Sequence, residues 1–310
     1  MTAEGVRRAA RRISPDFLGT PLLRDVAFEG APAMILKDET ATPIHSFKGR
    51  RTENFAQRYA ATAPVVVCAS AGNFGQGLAL SMTRRGGRAI VFAARTANPL
   101  KVARMKELGA EVRLEGGDFD AANAAATAFA RDADLPFVED AAFPEIAEGA
   151  GVIALEMAEE DFDAIYVAVG GGALINGISA LLKNARPDVA VIGVCAEGAA
   201  SYALSWRARR PIETQKVDTF ADGIAIRAPV EASVAELVAR VDDFVLVSDA
   251  EILRAMRALH RATGIIAEPA GAAGVAAAVK DAAARRAQRS ASIICGGNVA
   301  PDDRTHWFGV

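Results

Sequence analysis

The chain has 310 residues, 51% of them hydrophobic, and a formal net charge of -3. That is enough apolar material for about two domains or lobes, with no electrostatic reason to expect a nucleic-acid partner. No apolar run reaches membrane length, and three cysteines without C-x-x-C spacing support neither a disulfide framework nor a zinc site, so the reading is a soluble cytoplasmic protein.

In chain order, Arg7, Arg8, Arg11 and Arg12 are followed by no apolar core or cleavage site and read as part of a basic first helix. Residues 33–36 read as a strand, and Lys48 opens an amphipathic segment running to about residue 61. Short β-branched runs at 65–69, 89–93, 111–114, 165–169, 189–194, 244–247 and 292–295 then read as strands. Helical patterns separate them at 75–85, 99–108, 118–132, 146–160, 173–184, 233–240, 250–263 and 270–285. This alternation predicts an α/β fold of parallel sheets covered by helices on both faces, whose ligands bind at the carboxyl ends of the strands.

Three loops at such ends stand out. Ser70, Ala71, Gly72 and Asn73 join a strand to a helix with small residues that expose backbone N–H groups, which makes an anion site for a carboxylate or phosphate. Gly170, Gly171 and Gly172, followed by Ala173 and Leu174, form a second junction where bare backbone suits a phosphate. Ile175 stands where a dinucleotide fingerprint needs glycine, and no Lys-Ser/Thr ending of a triphosphate loop follows. The third is Cys295-Gly296-Gly297-Asn298, in which the cysteine reads either as a small buried hydrophobe or as a group with something lying against it.

Lys48 sits at a helix mouth, where the backbone dipole disfavours a positive charge and lowers the cost of a neutral, nucleophilic amine. Its own stretch fits equally an ordinary first-turn lysine on a solvated face. Combined with two anion loops and a neutral group from a third strand, it describes a pyridoxal 5'-phosphate pocket.

On these residues the chain resembles the fold type II pyridoxal-phosphate enzymes, within them the serine/threonine dehydratase group that also contains serine racemase. The motifs carrying the resemblance span nearly the whole chain: Gly19-Thr20-Pro21-Leu22, Lys37-Asp38-Glu39-Thr40, Ser46-Phe47-Lys48-x-Arg50, Ser70-Ala71-Gly72-Asn73-x-Gly75-Gln76, the glycine loop, Ala221-Asp222-Gly223, Glu268-Pro269-Ala270-Gly271 and Cys295-Gly296-Gly297-Asn298. The resemblance implies a two-domain, tryptophan synthase β-like architecture. Residues 1–51 and 144–310 would form the large cofactor-binding domain and 52–143 a small mobile one. A homodimer is also implied.

It further implies that Lys48 holds the cofactor aldehyde as a Schiff base, that Phe47 lies against the pyridine ring, and that Asn73 meets the phenolic oxygen. Ser70, Ala71 and Gly72, with Asn73, would take the substrate carboxylate. Gly170, Gly171, Gly172, Ala173 and Leu174 would wrap the phosphate, and Cys295 would face the pyridine nitrogen. A thiol there cannot supply the charge balance of a carboxylate, so elimination is favoured over transamination. The implied reaction is loss of water from a β-hydroxy amino acid such as threonine or serine, with the Lys48 amine as general base, giving a 2-oxo acid and ammonia.

Departures from the family pattern carry expectations too. Ala71 replaces the serine that acts as the opposite-face acid in racemases, which predicts weak or absent racemisation. Cys195 and Ser201 stand at two positions where metal-binding members carry acids, so no metal is expected from Glu197 alone. Ile44, His45 and Phe74 replace common neighbours of the substrate and suggest a bulkier one. No regulatory domain is expected after Asn298. Alternatives are β-replacement or threonine-synthase-like chemistry, set apart by Gly49-Arg50 where threonine synthases have Asp-Arg, and a cofactor-binding protein without turnover.

Overall fold

A computed structural model describes residues 1–139, 143–285 and 289–309. The elements run α1 (Ala3–Ala10), β1 (Leu22–Phe28), β2 (Ala31–Asp38), α2 (Lys48–Tyr59), β3 (Val65–Ala69), α3 (Asn73–Thr83), β4 (Arg88–Ala93), α4 (Pro99–Glu107), β5 (Glu111–Leu114) and α5 (Phe119–Asp132). They continue as α6 (Pro144–Met157), β6 (Ala164–Ala168), α7 (Ala173–Ala185), β7 (Ala190–Ala196), α8 (Ser201–Ala208), α9 (Glu231–Arg240), β8 (Asp243–Val247), α10 (Asp249–Thr263), α11 (Pro269–Arg285), β9 (Ser290–Ile294) and α12 (Pro301–Phe308). Every predicted strand is present within a few residues. The hairpin partner β1 and the short helices α8 and α12 were not foreseen.

Two sheets result: six strands in the order β1-β2-β9-β6-β7-β8, and three in the order β3-β4-β5. All pairings are parallel except β1 with β2. Helix coverage explains the composition of the central strands. Ala164–Ala168 is buried at every position, as a strand covered on both faces must be. The three-stranded sheet comes wholly from inside the 52–143 segment, with Phe137 adding a single parallel bridge to Val67; residues 140–142 of that segment lie outside the described residues.

Local signals fix the helix ends. Ser248 and Glu251 form a reciprocal capping box at the start of α10, and Gly264 ends it at φ 75°. Asn98 and Pro99 start α4, and Asp118 caps α5 through the Ala121 N–H.

The large sheet positions the site by where its last strand goes. β9 enters between β2 and β6, so the loops after three neighbouring strands gather at one edge: Lys48 follows β2, Cys295 follows β9 and the glycines follow β6. The loop after β3 joins them from the smaller sheet.

Candidate active site

Lys48 is the first residue of α2, preceded by Phe47 at the cap position with no side-chain cap. The turn before it is tied to the end of β9. Cys295 O accepts from Phe47 N–H at 3.0 Å and from Ser46 Oγ at 3.1 Å, and Gly297 N–H donates to His45 O at 2.9 Å. Phe47 is buried in the main core, with the Arg51 guanidinium 5.3 Å from its ring centroid.

Burial pushes the Cys295 thiol well up, and the nearby Glu268 carboxylate adds to the shift, against a smaller opposing effect of Lys48. The group next to Lys48 is therefore a neutral thiol across the working pH range.

In the loop after β3, Ser70 Oγ accepts from Gly72 N–H at 3.2 Å and Gly75 N–H at 3.0 Å, which folds the turn over the start of α3. Ala71 lies within that turn. Asn73, the first residue of α3, donates through Nδ2 to both Glu268 oxygens at 2.9 and 3.0 Å and accepts from Asn298 Nδ2 at 2.8 Å. A cavity of about 310 Å³ opens beside this contact, lined by Thr40, His45, Gln76, Lys101, Asn298 and Arg304 among others.

The glycine loop is braced from behind. Gly171 O accepts from Tyr202 Oη at 2.9 Å and Ser233 Oγ at 3.0 Å, and Asn176 Nδ2 donates to Ser233 Oγ at 3.0 Å. Gly172 caps α7 in the left-handed region at φ 86°, where a side chain is strained. A Cβ on Gly170 would fall 2.4 Å from Gly223 O. Ala173 and Leu174 turn their side chains into the cores, leaving only their backbone toward the loop. The first turn of a helix carries N–H groups with no intrahelical partner, so this junction is built to receive an anion.

Other family-like motifs turn out to be one buried ionic network beneath Lys48. Arg50 donates to Glu39 Oε2 at 2.7 Å, Glu156 Oε1 at 2.7 Å and Thr20 Oγ1 at 2.9 Å, and Lys37 donates to Thr20 O at 2.6 Å and meets Glu156 Oε2 at 2.6 Å. Burial disfavours the Arg50 charge, but Glu39 and Glu156 more than reverse this and hold it cationic. These residues pin α2 to β2 and α6, and so fix where Lys48 emerges.

Two expectations change. Ile44 is 1% exposed and packs in the main core, close behind Gly49 and Gly77, so it does not face the site. Phe74 is buried in the cluster behind the small sheet, with Arg51 5.9 Å from its ring centroid. His45 alone of the three remains exposed, at φ 52°, on the cavity wall. Glu197 pairs with Lys280 at 3.2 Å. The residue that sequence reasoning left without a role is Glu268. Its signal was its place in the Glu268-Pro269-Ala270-Gly271 motif, to which the resemblance attached no role.

Residues 13–296 match the family described as pyridoxal-phosphate dependent enzyme. The chain belongs to that family. It is 35% identical over 247 residues to the L-threonine dehydratase biosynthetic IlvA of Pasteurella multocida, covering 78% of this chain and 48% of that one. It is 37% identical over 236 residues to the L-threonine ammonia-lyase of Thermotoga maritima, covering 76% of this chain and 59% of that one. The chain thus spans about half the length of the curated relatives it matches. Among solved structures it is similar to threonine deaminase isoform 2 from Solanum lycopersicum, with TM-score 0.90 and 27% identity over 99% of this chain and 88% of that one. Maize serine racemase gives TM-score 0.91 and 25% identity over 97% and 94% of the two chains.

The residues present fit the cofactor of this pyridoxal-phosphate dependent enzyme. A bare glycine junction at the head of α7 suits its phosphate, a lysine at the head of α2 its aldehyde, and a protonated thiol its ring nitrogen.

Proposed function

We propose that this enzyme eliminates water from a β-hydroxy amino acid such as serine or threonine, and that the released enamine takes water up again as it hydrolyses to a 2-oxo acid and ammonia. The observation that carries the reading is Lys48 at the head of α2 beside the buried, neutral thiol of Cys295. Pyridoxal phosphate, when bound, supplies the electron sink for negative charge at the substrate Cα. A thiol cannot hold a ring nitrogen protonated as a carboxylate does, which favours loss of a β-substituent over transamination.

The chain's own residues divide the rest of the work. Gly170, Gly171, Gly172, Ala173 and Leu174 hold the phosphate through backbone N–H groups, and Phe47 supports the ring. Asn73 donates to the phenolic oxygen. Ser70, Ala71, Gly72 and Asn73 receive the substrate carboxylate at the head of α3, and the Lys48 amine takes the Cα proton. Residues 52–143 act as a small domain that closes over the substrate. Support for closure comes from the ion pairs Lys101–Asp222 at 2.7 Å and Arg227–Asp120 at 3.4 Å, which cross between this segment and the rest. We read the protein as a homodimer, and as cytoplasmic, since three buried cysteines outside any disulfide suit a reducing compartment.

The test is a screen of L- and D-hydroxy amino acids that reads 2-oxo acid and ammonia together, with Lys48→Ala as control. Release from a hydroxy amino acid, lost in Lys48→Ala along with the cofactor's visible absorbance, is the expected result. Turnover surviving in Lys48→Ala, or product only from O-phosphohomoserine or O-acetylserine, overturns it.

A further inference from the structure

Glu268 is the residue immediately before α11 and is 7% exposed. A buried carboxylate is costly unless it is bonded, and this one gives both oxygens to a single partner, Asn73 Nδ2, at 2.9 and 3.0 Å. On the other side of that amide, Asn298 Nδ2 donates to Asn73 Oδ1 at 2.8 Å and to Ile44 O at 2.8 Å. The surrounding backbone leaves room for the carboxylate: a Cβ on Gly296 would fall 2.4 Å from Glu268 Oε1, and one on Gly223 would come within 3.9 Å of the same atom.

An asparagine amide has two ends of nearly equal shape, and only its neighbours decide which end points where. An ionised carboxylate accepts and never donates; an amide nitrogen donates and never accepts. Asn298 Nδ2, anchored on Ile44 O, needs the oxygen end of the Asn73 amide, which leaves Nδ2 facing the two Glu268 oxygens and so gives Asn73 one orientation. Asn73 Nδ2 carries two hydrogens, and the carboxylate needs only one of them.

We propose that Glu268 is a positioning residue that locks the Asn73 amide so that the second Nδ2 hydrogen is presented to the phenolic oxygen of the bound cofactor. This rests on the reading that the Lys48 pocket holds pyridoxal phosphate. The groups facing Glu268 are Asp222, Lys101 from α4, Lys48 from α2, Asn73 from α3 and the Cys295 thiol after β9. Burial, reinforced by Asp222, holds the Glu268 carboxyl above its ordinary range, against the smaller opposing pull of the Asn73 amide, Lys101 and Lys48. The role resembles that of outer partners which orient a metal ligand without touching the metal.

Glu268→Leu keeps the shape and removes the acceptor, whereas Glu268→Gln keeps one acceptor oxygen. In the purified holoenzyme, Glu268→Leu weakens cofactor affinity for the apo form by roughly 10-fold and changes the visible absorption and dichroism of the bound cofactor, the lower end of what loss of an orienting partner costs. Glu268→Gln restores both to within about three-fold, because one acceptor still faces Nδ2. A folded Glu268→Leu with wild-type affinity and spectrum overturns the proposal, as does a glutamine variant no better than leucine. If Glu268→Leu loses its far-ultraviolet dichroism, Asn298→Ala, which frees the other end of the amide, is read instead; it shifts the cofactor band in the same direction, and an unchanged band overturns the proposal. A wild-type chain that takes up no cofactor sinks both this proposal and the reading beneath it. Normal uptake with unaffected variants sinks the positioning role alone.

Discussion

Arg50 Nε and Glu39 Oε2 lie 2.7 Å apart with both side chains wholly buried. Removing one member leaves the other's buried charge on its remaining partners, Glu156 and Thr20 for Arg50 or Thr20 for Glu39, which costs up to about 3–5 kcal/mol. Arg50→Met or Glu39→Leu is expected to lower the midpoint of thermal unfolding strongly. Glu4→Ala, which breaks the exposed Arg8–Glu4 pair on α1, is worth only about 0.3–0.5 kcal/mol and moves it little. Calorimetry of the three variants checks the contrast.

The glycine loop gives a sharper test of the phosphate site. Gly170→Ala drives a methyl group to 2.4 Å from Gly223 O, a backbone atom that cannot swing away. Titration of apoprotein with pyridoxal phosphate is expected to show affinity reduced by at least about 10-fold, the loss of roughly 1.4 kcal/mol of binding. Gly30→Ala, at φ 80° but with nothing within 4 Å, strains only the β1–β2 turn and leaves that affinity unchanged.

Stability should fall with acid, and the sign follows from two carboxyls. Burial pushes Glu156 and Glu53 up, but Arg50 and Lys37 for the first, and Arg85 and Ser14 for the second, reverse this and leave both low. Their contribution is complete above the unfolded value of about 4.3 and is lost as pH drops through the folded values. Glu268 runs the other way: burial and Asp222 hold it high, so its stabilising share is present at low pH and is lost as pH rises through its folded value. Glu268→Gln is therefore expected to raise the unfolding midpoint at neutral pH, with the gain vanishing near pH 4. Melting curves across pH 3–8 read both signs.

All three cysteines are buried and none is in a disulfide. Burial pushes Cys195 up to about 12, slightly offset by the Ala203 N–H, and pushes Cys295 up as well. Reaction requires thiolate and access. A chromogenic disulfide reagent at pH 8 is expected to label none of them rapidly in the folded protein and all three in denaturant.

What the sequence disclosed follows a physical division. Loops such as Ser70 to Asn73 and Gly170 to Gly172 were legible because their chemistry is local: small residues, exposed N–H groups and a helix start. Strands β3 and β4 were legible because buried parallel strands concentrate β-branched residues, here Val65 to Val67 and Ile90 with Val91. β1 was not, because an edge strand carrying Arg24 and Asp25, with register shifts against β2 and Asp25 at φ 55°, shows no clean period. The network of Thr20, Lys37, Glu39, Arg50 and Glu156 looked like scattered motifs because its members meet only in three dimensions, Arg50 and Glu156 being 106 positions apart. Glu268 was hidden for the same reason, 195 positions from Asn73. Ile44 misled because adjacency to Lys48 in sequence says nothing about which way a side chain turns from a bent segment.

The seat of β9 between β2 and β6 has a consequence for biosynthesis. Ser46, two residues before Lys48, leans on Cys295, 249 positions later. While the ribosome is still adding that distant segment, β2 and β6 have an open slot between them and the lysine's turn has no backing. Cofactor capture thus becomes a late event in the life of each new chain, and a product released before β9 would expose two unpaired strand edges, a ready template for aggregation.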